Sequence, residues 1–214
     1  MFDLDGTLMD NRPRSVAIFR ELSEAWVHQH PEDARRIAKS RPEELAYAIS
    51  DTLAKLGVSD ALHEEAADFW RARFFRDSHL AHDVPVPGAA KLVHSLHAAG
   101  ANIVYLTGRD LPLMGVGSWQ SLRDLGFPIG VVGTELVCKP DATIHDEVYK
   151  RDIAPELARL GDVFCSFDNE PANCNVFARI RKTCASVLLD TQHTPNAATL
   201  DPAVVCLKDF VLEG

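Results

Sequence analysis

From Ala89 onward the chain repeats one pattern, a helical stretch closed by glycine and then a short apolar run. Ala89–Ala99 reads as a helix stopped at Gly100, and Asn102–Leu106 as a strand. A helix around Trp119–Leu125 ends at Gly126 and leads into an apolar run, Ile129–Val132. Asp146–Leu160 reads as a helix closed by Gly161, followed by strand Val163–Phe167, helix Ala172–Arg181, and strands Ser186–Leu189 and Val204–Leu207. Short strands separated by helices must pair in parallel, because each helix carries the chain back across the sheet. The pattern therefore predicts an α/β fold with a parallel sheet covered by helices on both faces.

The first strand, Met1–Leu8 with a turn at Gly6, is cut off from this series. The stretch from Leu8 to Pro85 far exceeds the ~10–12 residues that a crossover needs. It carries helical signals instead. Asn11 and Pro13 mark a helix start, with Val16, Phe19, Leu22, Ala25 and Trp26 at helical spacing. Ser40 and Glu43 form a capping-box pattern before Leu45, Ile49, Leu53 and Leu56, and Gly57 is a stop. Asp60–Arg76 predicts a further helix with Leu62, Ala66, Phe69, Trp70 and Phe74 inward. At Val84-Pro85-Val86-Pro87-Gly88 the texture changes. The expected division is a core of residues 1–10 and 85–214 and a helical insert of residues 11–84.

Composition narrows the function classes. The 214 residues carry a formal charge of -9, which disfavours a general nucleic-acid binder. No apolar run approaches a membrane span, and no secretory signal follows Met1. The five cysteines (Cys138, Cys165, Cys174, Cys184 and Cys206) form no CxxC pair, as expected for reduced thiols in a cytoplasmic protein. His94 and His97 sit at i, i+3 spacing with no third ligand in view, so solvent-facing or capped histidines are the expected reading.

In open α/β sheets ligands bind beyond the carboxyl ends of the strands, so the residues just after each strand carry most information. In Asp3-Leu4-Asp5-Gly6-Thr7 the two carboxylates are two residues apart on an extended chain and share a face. One can attack phosphorus and the other can protonate a leaving oxygen and later activate water. Thr107-Gly108-Arg109 offers a hydroxyl and N–H groups to phosphate oxygens, and Lys139 a point charge. Asp168-Asn169-Glu170, with Asn173 beyond, supplies a carboxylate that can join Asp3 on magnesium. Each segment alone has an ordinary reading: a solvated turn, a plain loop, an exposed lysine, an N-capping aspartate.

Taken together, in this order and spacing, the four segments resemble the motifs of the haloacid dehalogenase superfamily: Asp-x-Asp-Gly-Thr, a Thr after the second strand, a Lys, and a late acidic motif. The resemblance covers essentially the whole chain and implies a Rossmann-like core with a helical cap inserted between motifs one and two. It implies Asp3 as nucleophile and Asp5 as general acid/base. Asp3, the Asp5 backbone carbonyl and Asp168 would hold Mg2+, and Thr107, the Gly108 N–H and Lys139 the phosphoryl group. It also implies phosphate chemistry, because the dehalogenase branch lacks an aspartate two residues after its nucleophile.

Two features depart from the pattern. Asn169 stands where motif four often has a second aspartate, so the metal shell is expected to lean on Asp168 and on Glu170 or Asn173. Only Met1 and Phe2 precede Asp3, against the ~5–6 residues of a usual strand, so residues before Met1 are expected. The expected substrate is a small phosphorylated metabolite. Arg109, and in the insert Arg12, Arg14, Arg71, Arg73 and Arg76, are candidates to grip a second anionic group. A phosphomutase of the same family and a non-catalytic phosphate- or protein-binding relative are the alternatives. No sequence feature fixes the oligomeric state.

Overall fold

The computed structural model describes residues 1–180 and 184–211. It divides into two compact units, residues 1–10 with 84–214, and residues 11–83.

The first unit is an α/β sandwich around a parallel sheet. Its strands are β3 (Ile103–Asp110), β4 (Thr134–Lys139), β5 (Cys165–Asp168), β6 (Ala185–Leu189) and β7 (Val205–Leu207). β3 pairs with β4, and β5 with β6 and then β7, every pair parallel. Phe2 joins the two halves, bridging Tyr105 on one side and Phe167 on the other. The ladder is continuous there: Phe2 N–H donates to Val104 O at 2.8 Å and Asp3 N–H to Phe167 O at 2.9 Å.

Alternation along β3 sorts the two faces, as a period of two requires. Ile103 and Tyr105 pack with Phe2, Phe167 and Val187 against Ala89 and Val93 of α5 (Ala89–Ala98) and Leu122 of α6 (Leu111–Asp124). Val104 and Leu106 turn the other way. They meet Tyr149 of α7 (Asp146–Ile153), Leu157, and Phe177 of α8 (Pro171–Ile180). The chain thus has the expected Rossmann-like α/β architecture.

Local details differ from the sequence reading. Ile129–Val132 is not a strand: β4 starts at Thr134, and Val132 is 95% exposed. Apolarity at a turn had mimicked a buried strand. α6 begins at Leu111, not near Trp119, with Asp110 accepting the Leu113 N–H at 3.0 Å as its N-cap. Its glycines, Gly115 and Gly117, hide the helical period. Helix α7 stops at Ile153 rather than running to Leu160, since Pro155 lacks the N–H to continue, and a short 3₁₀ stretch covers Glu156–Leu160. Arg181, placed at the end of the last helix, lies outside the described residues.

The second unit holds α1 (Arg12–Trp26), α2 (Pro31–Ile37), α3 (Ile49–Leu56) and α4 (His63–Phe74). Val16, Phe19, Leu22 and Trp26 of α1 pack with Ile37, Leu53 and Ala66. The capping box lies one residue later than expected, with Arg41 and Glu44 flanking a 3₁₀ turn, and α3 begins only at Ile49. Arg14 is fully buried. It donates Nε to Asp83 Oδ1 at 2.8 Å and stacks on the Phe74 ring, so it is a structural cation rather than an anion grip. Arg73 is spent on Glu21 at 2.9 Å, and Arg71 on Asp68.

Two short strands, β1 (Met9–Asp10) and β2 (Val84–Pro85), pair antiparallel at the base of the insert. Among the described residues no helix is long and apolar enough to cross a membrane.

Candidate active site

The position of Phe2 in the ladder decides where Asp3 and Asp5 emerge. Asp3 leaves the sheet at the edge where β3 carries Thr107 and β5 ends in Asp168. The chain then turns sharply: the N–H groups of Thr7, Leu8 and Met9 all donate to Leu4 O. Gly6 takes φ +75°, and a Cβ there would collide with the Asn169 side-chain amide, so both backbone and space favour glycine.

Asp3 and Asp168 are both buried, at 7% and 3% exposure. One ammonium joins them: Lys150 Nζ donates to Asp3 Oδ1 at 2.6 Å and to Asp168 Oδ2 at 2.7 Å. Thr7 Oγ1 adds a 3.3 Å bond to Asp3 Oδ2. Asp168 Oδ1 accepts from the Glu170 N–H at 2.9 Å and from Asn173 Nδ2 at 3.1 Å. The Asp3 carboxyl is pushed up to about 7: burial is the largest cause, Lys150 pulls against it, and the charges of Asp168 and Asp5 add to the rise. Burial lowers Lys150, but Asp168 and Asp3 outweigh it and hold the amine cationic. When both carboxyls are ionised, two negative charges against one ammonium leave this buried spot with a negative excess.

The lysine here is not the one expected. Lys139 Nζ donates to Asp146 Oδ1 at 2.6 Å, and the Asp146 carboxylate packs against Gly108. The cation between Asp3 and Asp168 is Lys150, a residue the sequence reading passed over because it follows no strand. Its signal was available: it stands between Tyr149 and Ile153 on the stripe of α7 that packs inward, a charge on an apolar face.

Thr107 is buried, and its hydroxyl accepts the Arg109 N–H at 3.2 Å. The register of β3 against β4 slips here, so that Thr107 faces Cys138 while Asp110 faces Lys139, and Gly108 and Arg109 loop out of the ladder. Arg109 turns back to Asp5. Its Nε donates to Asp5 Oδ2 at 2.7 Å and its Nη2 to Asp5 Oδ1 at 2.8 Å. With its side chain 1% exposed and the fork spent on Asp5, Arg109 does not present an anion grip for substrate.

Asn169 and Glu170 also take places other than a metal shell. Asn169 Nδ2 donates to Gln192 O at 2.6 Å, and its Oδ1 accepts from Thr7 Oγ1 at 3.4 Å. The Glu170 carboxylate accepts the Thr194 N–H at 3.1 Å, and Thr191 Oγ1 donates to Gly6 O at 2.5 Å. Together they tie loop 190–196 to the turn that follows Asp3. Asn173 alone of the three puts its side chain on Asp168. An amide at position 169 is required because an aspartate has no proton to give Gln192 O. Asn169→Asp is expected to destabilise the fold by about 1–3 kcal/mol, read from urea unfolding. An unchanged midpoint would remove the clamp.

Elsewhere His94 bonds Gly126 O at 2.6 Å and His97 bonds Val132 O at 2.8 Å, tying helix to loop. Among the described residues no cluster of three His, Cys, Asp or Glu could hold a metal, and the five cysteines are free.

Buried paired carboxylates, with a third two residues on, lie at the carboxyl edge of a parallel sheet, where ligands bind in open α/β folds. Residues 1–145 match the profile of the haloacid dehalogenase-like hydrolases, and the chain belongs to that family. No curated protein matches it. Among solved structures it is similar to Protein Tyrosine Kinase A of Mycobacterium tuberculosis, at 20% identity over 96% of this chain and 91% of that one, with a TM-score of 0.57. A candidate phosphatase from Clostridium difficile gives 16% identity over 87% and 82%, with a TM-score of 0.56. A superfamily hydrolase from Ehrlichia chaffeensis gives 10% over 98% and 90%, with a TM-score of 0.55. At such identities the likeness concerns the fold.

Proposed function

We propose that this chain is a magnesium-dependent phosphatase that hydrolyses a small phosphorylated metabolite through a phosphoryl group carried on Asp3. The observation that carries the reading is the buried Asp3–Lys150–Asp168 arrangement with Asp5, 28% exposed at its side chain, two residues beyond the nucleophile. The names of the C. difficile and M. tuberculosis proteins, a candidate phosphatase and a kinase, both denote phosphoryl chemistry and favour it over carbon–halogen cleavage.

The donor set fits magnesium. Asp3 and Asp168 offer hard carboxylate oxygens with a negative excess, and magnesium takes one or two carboxylates plus water and substrate oxygens. When bound, the ion supplies positive charge that lets a phosphate dianion approach and that offsets charge on its equatorial oxygens.

The remaining chemistry belongs to the chain. An Asp3 oxygen attacks phosphorus, the ester P–O bond breaks, and Asp5 gives a proton to the leaving oxygen. Asp5 then takes a proton from water, whose oxygen attacks the same phosphorus and breaks the bond to Asp3. Free phosphate leaves, and both carboxyls return to their starting states. Thr107, the Gly108 N–H and Lys150 hold the non-bridging oxygens, Lys150 serving in the role the motif pattern gave Lys139.

Turnover of p-nitrophenyl phosphate with magnesium tests the reading. Excess chelator should stop it, and magnesium or manganese should restore it. Zinc should restore little, since the ligands are oxygens without Cys or His. Undiminished turnover in chelator would overturn the metal assignment. A panel of phosphorylated metabolites then identifies the substrate.

A further inference from the structure

We infer that Arg109 is a positioning residue that aims the ionised Asp5 carboxylate at the water that releases the phosphoryl group from Asp3. The inference rests on the reading of Asp5 as the general acid/base. Asp5 lies in the turn that follows Phe2 and Asp3, where no strand or helix period fixes its side chain, and an aspartate has several staggered rotamers open to it. Arg109 removes that freedom. A fork of two bonds, at 2.7 and 2.8 Å, sets both oxygens and hence the plane of the carboxylate.

The guanidinium is itself held from behind. Nη1 donates to Ser118 Oγ of α6 at 3.3 Å, and Nη2 meets Met9 Sδ at 3.6 Å. The Arg109 main chain is tied to Thr107, so the phosphate-binding loop and the Asp5 carboxylate share one support. Burial is asymmetric: the arginine side chain is 1% exposed and that of Asp5 is 28%. The carboxylate keeps an accessible side while the cation that steers it stays covered. Lysine cannot replace this fork, being a single point charge on a flexible stem.

Small displacements of a catalytic group are costly; about 1 Å can lose about 10²-fold. Arg109→Lys should therefore lower kcat on an alkyl phosphate by about tenfold to a hundredfold, with KM changed little. The deciding measurement is a cycle with Asp5→Asn. If Arg109 acts through Asp5, Arg109→Lys costs almost nothing further in the Asp5→Asn background. With p-nitrophenyl phosphate, whose leaving group needs little proton donation, Arg109→Lys should also show a burst of product as phosphoryl-Asp3 builds up.

A KM rise with kcat kept, or an equal loss in both backgrounds, would overturn the inference. If Asp5→Asn alone leaves kcat intact, the reading of Asp5 fails first. If Asp5→Asn is impaired and Arg109→Lys is not, only the role of Arg109 falls. Should Arg109→Lys not fold, Ser118→Ala keeps the ion pair and loosens its support. The same cycle with it should give a smaller kcat loss that vanishes in the Asp5→Asn background, and a loss of equal size in both would overturn the inference.

Discussion

Asp3→Asn is expected to abolish turnover while leaving the protein folded. The amide nearly matches the carboxylate in size and keeps an oxygen for the 2.6 Å bond from Lys150. It also removes one of two carboxylates that burial disfavours, leaving Lys150 and Asp168 as a one-to-one pair. The melting temperature should therefore hold or rise. What is lost is the nucleophile, since an amide oxygen does not form a stable acyl phosphate. Intact mass after acid quench gives an independent reading: Asp5→Asn should carry added phosphoryl mass and Asp3→Asn none. Substantial turnover by Asp3→Asn at saturating magnesium would place the nucleophile elsewhere.

Lys150→Met should cost both activity and stability. It leaves two buried carboxylates facing each other without the ammonium that joins them. Removing one partner from a buried ion pair costs about 3–5 kcal/mol. The sign of the pH dependence follows from Asp3, which burial already raises to about 7. Without Lys150 it rises further, so the variant's folded state binds a proton more readily than its unfolded state. The stability deficit should shrink as pH falls and widen as pH rises. Lys139→Met is the comparison. Its partner Asp146 is 57% exposed at the side chain, so solvent screens the pair and the loss should stay within about 1 kcal/mol. Urea unfolding of the two variants, with turnover measured alongside, separates the lysines. A Lys150→Met protein as stable and active as Lys139→Met would refute the assignment of the site cation.

The contrast between those lysines shows what the sequence makes legible. Features governed by local rules were readable: the helix–strand alternation after Ala89 and the carboxylate at the end of β5. Partnerships between distant residues were not. Arg109 and Asp5 are 104 positions apart, and Lys150 and Asp3 are 147 apart, so no periodicity links them. Asn169 looked like a weakened metal ligand because its partners, Thr7 and Gln192, meet only in the folded chain. Strand edges failed for a local reason. Val131 and Val132 carry the residue type of a strand, but the following Gly133 has φ +81° and the ladder starts after it.

The short antiparallel ladder Met9–Asp10 with Val84–Pro85 makes the whole of residues 11–83, seen from the sheet, a single hairpin loop. Closing a loop costs entropy that grows only with the logarithm of its length, about 0.6 kcal/mol per doubling. In terms of loop closure the sheet unit is thus nearly indifferent to how much chain is threaded between those four residues. A graft of twice the size, or a tight turn in its place, enters and leaves through the same gate. Residues 11–83 can therefore be exchanged or resized, during evolution or at the bench, as a cassette without redrawing the sheet.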